Sequence, residues 1–244
     1  MRNLWVIAKR EYNHFFISPI AYLVALTILL FLGIRFFIII QVAAMQQYAP
    51  NVADVVGPLF MLLIFTVPAI SMRSLSEEAR NGTLELLLTA PVRDWEVVVG
   101  KWLGGFLFLL TIILVTWFFP IILNTIIDPG IDQGLMVAFY LGITLVAAAF
   151  IAIGVMASSF FSNQIAALFA TLGLLFVLLL IGDGSQIMGA AGSNSLLAYL
   201  DIDNHFYNSF MRGIIELKDV VYYLSVTALS LFIGSAMVEM RRWR

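Results

Sequence analysis

The chain has 244 residues, of which 62% are hydrophobic and only 11% charged, with a mean hydropathy of +1.00. A soluble domain is about 25% charged and 45–50% apolar, so the composition argues against a water-soluble fold and for an all-α polytopic membrane protein. There is no cysteine, which excludes disulfides and thiolate metal sites, and the net charge of −2 says less than where the charges fall.

From the N-terminus, Leu4, Ile7, Ala8, Tyr12 and Phe15 follow helical spacing, while Lys9, Arg10 and Asn13 lie elsewhere on the wheel. The pattern predicts a helix lying in the membrane interface over residues 1–18. The plainer alternative is a basic, aromatic flank of a span. Pro19 suits the start of the next helix after a bend. A helix needs roughly 20 apolar residues to cross the hydrocarbon core. Six stretches approach this: Pro19 to Ile40, Val55 to Met72, Trp102 to Leu123, Leu135 to Ala157, Ile165 to Ile181 and Val220 to Val238. The alternating segments of about ten residues that mark an outer-membrane barrel are absent. Span one is longer than the roughly 7–15-residue core of a cleavable signal, so it is expected to remain as an anchor.

Arg35 lies in the outer part of span one. An isolated membrane arginine costs roughly 2.5–3.5 kcal/mol on insertion scales. Two readings stay open: snorkelling to the outer headgroups, or a gating or substrate-facing role. Pro58, Pro68 and Pro120 are expected to kink spans two and three. Ala148 with Ala152, and Gly154 with Ser158, permit close helix approach, within the bundle or between copies. Spans four and five are separated only by residues 158–164, which suits a tight helical hairpin.

The loop between spans two and three reads SMRSLSEEARNGTLELLLTAPVRDWEVVVGK from Ser71 to Lys101, with its core at residues 74–99. Span two is expected to run on through Glu77, Glu78 and Arg80, and Gly82 can supply the left-handed residue that ends a helix. Thr83 then caps a short helix over Leu84 to Thr89, with Glu85 in its first turn, until Pro91 stops it. Asp94 is the expected cap of the helix that becomes span three. Leu84, Leu87 and Leu88 share a face of the short helix. Such a helix suits a groove on a partner or a flat seat on the membrane interface. The opposite loop at residues 182–219 is long. Phe206, Phe210 and Ile214 recur there near helical spacing, which predicts a short helix resting on the outer surface or partly re-entrant, as a gate or a cover. His205 has no partner pattern around it.

Orientation follows the basic residues. Arg2, Lys9, Arg10, Arg73, Arg80, Arg93, Lys101, Arg241, Arg242 and Arg244 share one side, which is therefore read as cytoplasmic and as holding both termini. The other side carries Arg212 and Lys218 among many acids.

The string EEARNGTLELLLTAPVRDWEVVVGK resembles the signature of permease subunits of ABC-2 type ATP-binding-cassette transporters. The matching positions are Glu77, Glu78, Gly82, Thr83, Glu85, Leu87, Leu88, Pro91, Gly100 and Lys101. KREYNHFFISPIAY resembles the family's elbow helix. RGIIELKDVVYYLSVTALSLFI resembles the last span of permeases of gliding-motility and copper-site-maturation transporters. The resemblance implies one transmembrane domain over residues 1–244 of a bacterial inner or plasma membrane protein. It makes the short helix a coupling helix seated on a cytoplasmic ATPase, with Glu77, Glu78 and Glu85 pairing with that partner's basic groups and Leu86, Leu87 and Leu88 supplying buried contacts. It further implies two ATPases that bind the ATP and magnesium, and a second permease chain, identical or a similar paralogue. Membrane lipid is a partner, an accessory subunit can be accommodated, and nucleic acid is not expected. Export is the family's usual direction.

Catalytic motifs are absent from the sequence. Gly100 and Lys101 are followed by Trp102 and lack the upstream glycine of a phosphate-binding loop. His14 and His205 fall on opposite sides of the membrane, so no histidine dyad is expected. No acid lies inside the six stretches, which weakens an ion-coupled carrier. The leading reading is a permease driven by a separate ATPase. Its rival is a membrane anchor or force-transmitting subunit that moves no solute, and an intramembrane enzyme is third.

Overall fold

In hydrocarbon a backbone must satisfy its own hydrogen bonds, so apolar runs this long become helices. The computed structural model describes residues 2–82, 93–187 and 199–242. In chain order these form α1 (Arg2–Phe15), α2 (Pro19–Gln46), α3 (Val52–Val56), α4 (Leu59–Ser71), α5 (Ser76–Asn81), α6 (Asp94–Val115), α7 (Phe118–Ile126), α8 (Gln133–Phe160), α9 (Gln164–Ile187), α10 (Ile202–Tyr207), a 3-10 turn at Phe210–Arg212, and α11 (Leu217–Arg242). No strand occurs among the described residues. Among the described residues, six helical stretches are long and apolar enough to cross a membrane. The chain is an all-α, multi-pass membrane protein.

The helices outrun the apolar stretches that predict them. Span one continues to Gln46, and span three starts at Asp94 and ends, beyond a break at Thr116 and Trp117, at Ile126. Once nucleated, a helix adds a hydrogen bond per residue, so polar turns extend past the hydrocarbon. Span two is more broken than expected. It opens on α3, where Asn51 and Asp54 cap reciprocally, and α4 begins after Pro58. A turn at residues 72–75 then separates α4 from α5. Ser158 of α8 holds that turn, its hydroxyl accepting from the backbone amides of Leu75 at 2.9 Å and Ser76 at 3.0 Å. Pro68 lies inside α4 and Pro120 inside the first turn of α7.

Span four, α8, is the hub, with α4, α6, α9 and α11 packed around it. It is 72% buried over its most apolar stretch, against 22% for span one and 17% for span five. Ala152 is wholly buried, and Gly154 lies against the Ser71 side chain. The small residues of span four therefore serve packing within the bundle. Spans one and five turn most of their surface outward.

Candidate functional site

The elbow helix α1 lies along α6. Its less exposed side carries the predicted stripe of Leu4, Ile7, Ala8, Tyr12 and Phe15, plus Glu11. Two glycines of α6 let its backbone in. A Cβ on Gly100 would stand 2.8 Å from Ile7 Cγ2, and one on Gly104 would stand 2.5 Å from Glu11 Cβ. Real side chains tolerate neither distance. Between these glycines Lys101 points at the elbow, and Trp102 turns to α8, donating its indole N–H to the Ala148 carbonyl at 2.9 Å.

This approach assembles four charges from three elements. The Lys101 ammonium lies 2.9 Å from Glu78 Oε1 and 3.1 Å from Glu11 Oε1. Arg10 Nη2 lies 2.9 Å from Glu11 Oε1 and 3.4 Å from Glu78 Oε1. The ring alternates in sign and is neutral as a whole. Lys101 is its buried member, with a side chain 2% exposed, whereas Glu11 and Glu78 keep 15% and 17%. A buried ammonium is tolerated because two carboxylates face it. Burial pushes the Glu11 carboxyl up, but the Lys101 ammonium and Arg10 guanidinium beside it outweigh burial and hold it below the usual carboxylate range.

Among the residues expected to meet an ATPase, Glu78 is thus engaged within the chain. Glu77 lies one turn from Arg73, 3.6 Å away. Gly82 closes α5 with a φ of 70°, the left-handed conformation its sequence position predicts. Thr83, Glu85, Leu86, Leu87, Leu88 and Pro91 lie outside the described residues. The cap of α6 differs from expectation by one residue. Arg93 occupies it, and Glu96 reaches back to accept from the Arg93 amide at 3.1 Å, leaving Asp94 in the first turn where the helix dipole favours a carboxylate. Arg35 donates from Nε to the Asp54 carbonyl at 2.7 Å, which ties span one to α3.

The opposite end holds a second cluster that sequence reasoning missed. By its place just before the apolar run at Val220, Asp219 falls in the predicted loop at residues 182–219. It instead lies in the first turn of α11, completely buried, with Oδ1 2.6 Å from His205 Nδ1. The other ring nitrogen of His205 lies 2.9 Å from the Tyr199 carbonyl, and the ring stacks on Tyr222 at 4.0 Å. The Tyr222 and Tyr223 hydroxyls donate to the carbonyls of Leu200 and Ile202, both at 2.8 Å. Of the placements expected for the segment before α11, its aromatic residues follow the inward one, packing into the end of the bundle. Phe206 and Phe210 are wholly buried, and Phe206 lies 4.8 Å from Phe60 and 5.6 Å from Phe139, ring to ring. Two aromatic side chains gain more by entering the bundle end than by lying on headgroups.

No group of three or more potential metal ligands occurs among the described residues. No curated protein matches the chain. A family model described as ABC-2 family transporter protein matches residues 5–227, from the elbow helix into span six. The chain therefore belongs to the ABC-2 transporter family, as a permease subunit: the membrane component rather than the catalytic one, and one whose membership implies an ATP-binding-cassette ATPase as partner.

Proposed function

We propose that this permease couples ATP hydrolysis by the separate ATPase to export, and that the four-charge ring is the joint through which the movement enters the bundle. The observation that carries this reading is the position of Glu78. It lies on α5, directly before residues 83–92, and is bonded to Lys101 of span three and, through it, to Glu11 of the elbow. A push on the loop is therefore passed to α5, α6 and α1 together. Thr83, Glu85, Leu86, Leu87, Leu88 and Pro91 form the ATPase-facing surface in this reading, with Glu77 and Gly82 at its edge. Glu78 acts inside the permease instead. The terminus-bearing end is cytoplasmic, the membrane is a bacterial inner membrane, and two permease chains work with two ATPases that hold the nucleotide and magnesium.

The test uses permease and ATPase expressed together. Glu85→Arg with Leu88→Asp is expected to abolish co-purification, because it reverses a charge and places a carboxylate in an apolar contact. Normal assembly and ATPase coupling in that variant would overturn the assignment. ATPase stimulation by a translocated solute supports transport, and a mechanical output without solute flux supports the force-transmitting alternative.

A further inference from the structure

Spans one and three do not close on each other at the terminus-bearing end. Span one leans on α3 and α4, and span three on α1, α8 and α11. Between them lies a cavity of about 150 Å³. The end of the elbow supplies Phe15 and Phe16, span one supplies Tyr22 and Leu29, and span three supplies Phe108 and Val115. Its walls are apolar throughout. The one hydroxyl that span three contributes, on Thr111, is taken by Tyr12 at 3.1 Å and the Leu107 carbonyl at 2.9 Å. The Tyr22 hydroxyl turns away to the Phe16 carbonyl at 2.7 Å. Phe108 stacks on Phe15 at 5.0 Å and meets Phe16 edge-on at 5.6 Å, so the aromatic floor is fixed.

We propose that this crevice binds one acyl chain of a phospholipid from the leaflet at the terminus-bearing end, with the lipid phosphate on Arg73 and Ser18. Three observations select this occupant. An apolar crevice of this size takes a small ring or a short stretch of alkyl chain, whereas a helix from a second copy needs roughly 8–10 Å between axes. The walls are the first turns of span one and the last two turns of α6, both within the apolar stretches of their spans. A cation stands at the start of span one, the helix that supplies one wall. Ser18 caps the stripe that Tyr22, Ala25 and Leu29 continue into the cavity, and Arg73 Nη1 lies 3.3 Å from the Ser18 hydroxyl. Glu77 offers that guanidinium a single carboxylate at 3.6 Å, which leaves further N–H donors of its fork for a phosphate. A lipid held here would wedge the elbow against span one. The inference stands whether or not the chain moves a solute.

The full chain is purified with phosphatidylethanolamine and phosphatidylglycerol, delipidated by detergent exchange, and weighed intact by native mass spectrometry. The wild type is expected to keep one phospholipid per chain. Ala25→Trp fills the crevice and, by displacing even two or three methylenes, is expected to lower retention about tenfold. Leu26→Trp, on the outward face of the same helix, leaves it unchanged, and Arg73→Gln weakens retention of phosphatidylglycerol. Equal retention in Ala25→Trp and wild type overturns the proposal. So does disulfide cross-linking between copies through Ala25→Cys, which the cysteine-free background makes clean to read. Should Ala25→Trp fail to fold, a phosphatidylglycerol with a photoactivatable group in mid-chain labels the wild type instead. Adducts concentrated on Leu29 and Val115 support the site, and adducts spread evenly over the outward faces of span one overturn it.

Discussion

The two ends of the bundle solve one problem, holding a polar or irregular segment against a membrane domain, by opposite means. At the terminus-bearing end the elbow, α5 and span three are joined through long charged side chains, Arg10, Glu11, Glu78 and Lys101, three of them still touched by solvent. At the other end the joint is aromatic, with Phe206, Phe210 and Tyr223 fully buried and one His205–Asp219 pair sealed among them. Packed rings of fixed shape resist sliding, because interiors are dense and lose contacts on small shifts. Long charged side chains keep their partners through a change of rotamer. The difference suits a bundle that is driven at one end and closed at the other.

Phe206→Ala tests the aromatic end and should have the largest effect on stability. Removing a fully buried phenylalanine costs about 3–5 kcal/mol, read as a fall in the thermal midpoint of the purified chain. Co-purification with the ATPase should survive wherever the variant is folded. Loss of assembly without loss of stability would break the contrast between the ends.

Lys101→Met comes next. Leaving a buried ion pair without one partner costs about 3–5 kcal/mol, here at the lower end because Glu11 and Glu78 retain some solvent. The midpoint should fall, and the elbow should become open to protease. Adding Glu11→Gln and Glu78→Gln to Lys101→Met should recover part of the loss, since the carboxylates then need no counter-charge. A triple variant no better than the single one would show that Lys101 acts by packing alone.

Asp219→Asn should cost less, about 1–3 kcal/mol. The change keeps the shape and removes the charge that faces His205 Nδ1. Its Oδ2 has no hydrogen-bond partner among the described residues, so half of the carboxylate already goes unused. Only the midpoint should move, with elbow protease sensitivity unchanged. A change at the elbow would show that the two ends communicate.

The sequence reveals whatever is periodic or long. The six spans are legible because crossing the hydrocarbon sets a minimum apolar length. The elbow stripe is legible because Leu4, Ile7, Ala8, Tyr12 and Phe15 keep the helical period. Gly82 is legible because few other residues end a helix so easily. The partnerships are not legible. Glu11 and Lys101 are 90 residues apart, and no local pattern joins them. Their meeting depends on the space at Gly100 and Gly104, and neither glycine's place in the sequence says what enters that space. His205 and Asp219 are 14 residues apart across an irregular segment. Asp219 falls in the predicted loop because the apolar run starts at Val220, although the helix has begun by Leu217.

The smallest expected effect belongs to pH and sharpens the view of the charged end. Glu11 titrates below its ordinary value of 4.5 in the folded chain, despite burial, because Lys101 and Arg10 favour its charged form. A carboxyl lowered on folding contributes stability that is fully present above its unfolded value, and loses it as pH falls through the folded value. The elbow should therefore stay docked from neutral pH to the ordinary glutamate range, and loosen only below it. Limited proteolysis of residues 2–15, followed as the pH is lowered, reads this directly. Glu11→Gln should raise cleavage modestly at neutral pH and shrink its dependence on acid, because the titrating group is gone. A wild-type elbow that loosens well above the glutamate range would mean that burial outweighs the two cations and that Glu11 is held against its preference. The charged end would then be strained, unlike the aromatic end, and the ring would be a weak point of the bundle before it could be a joint.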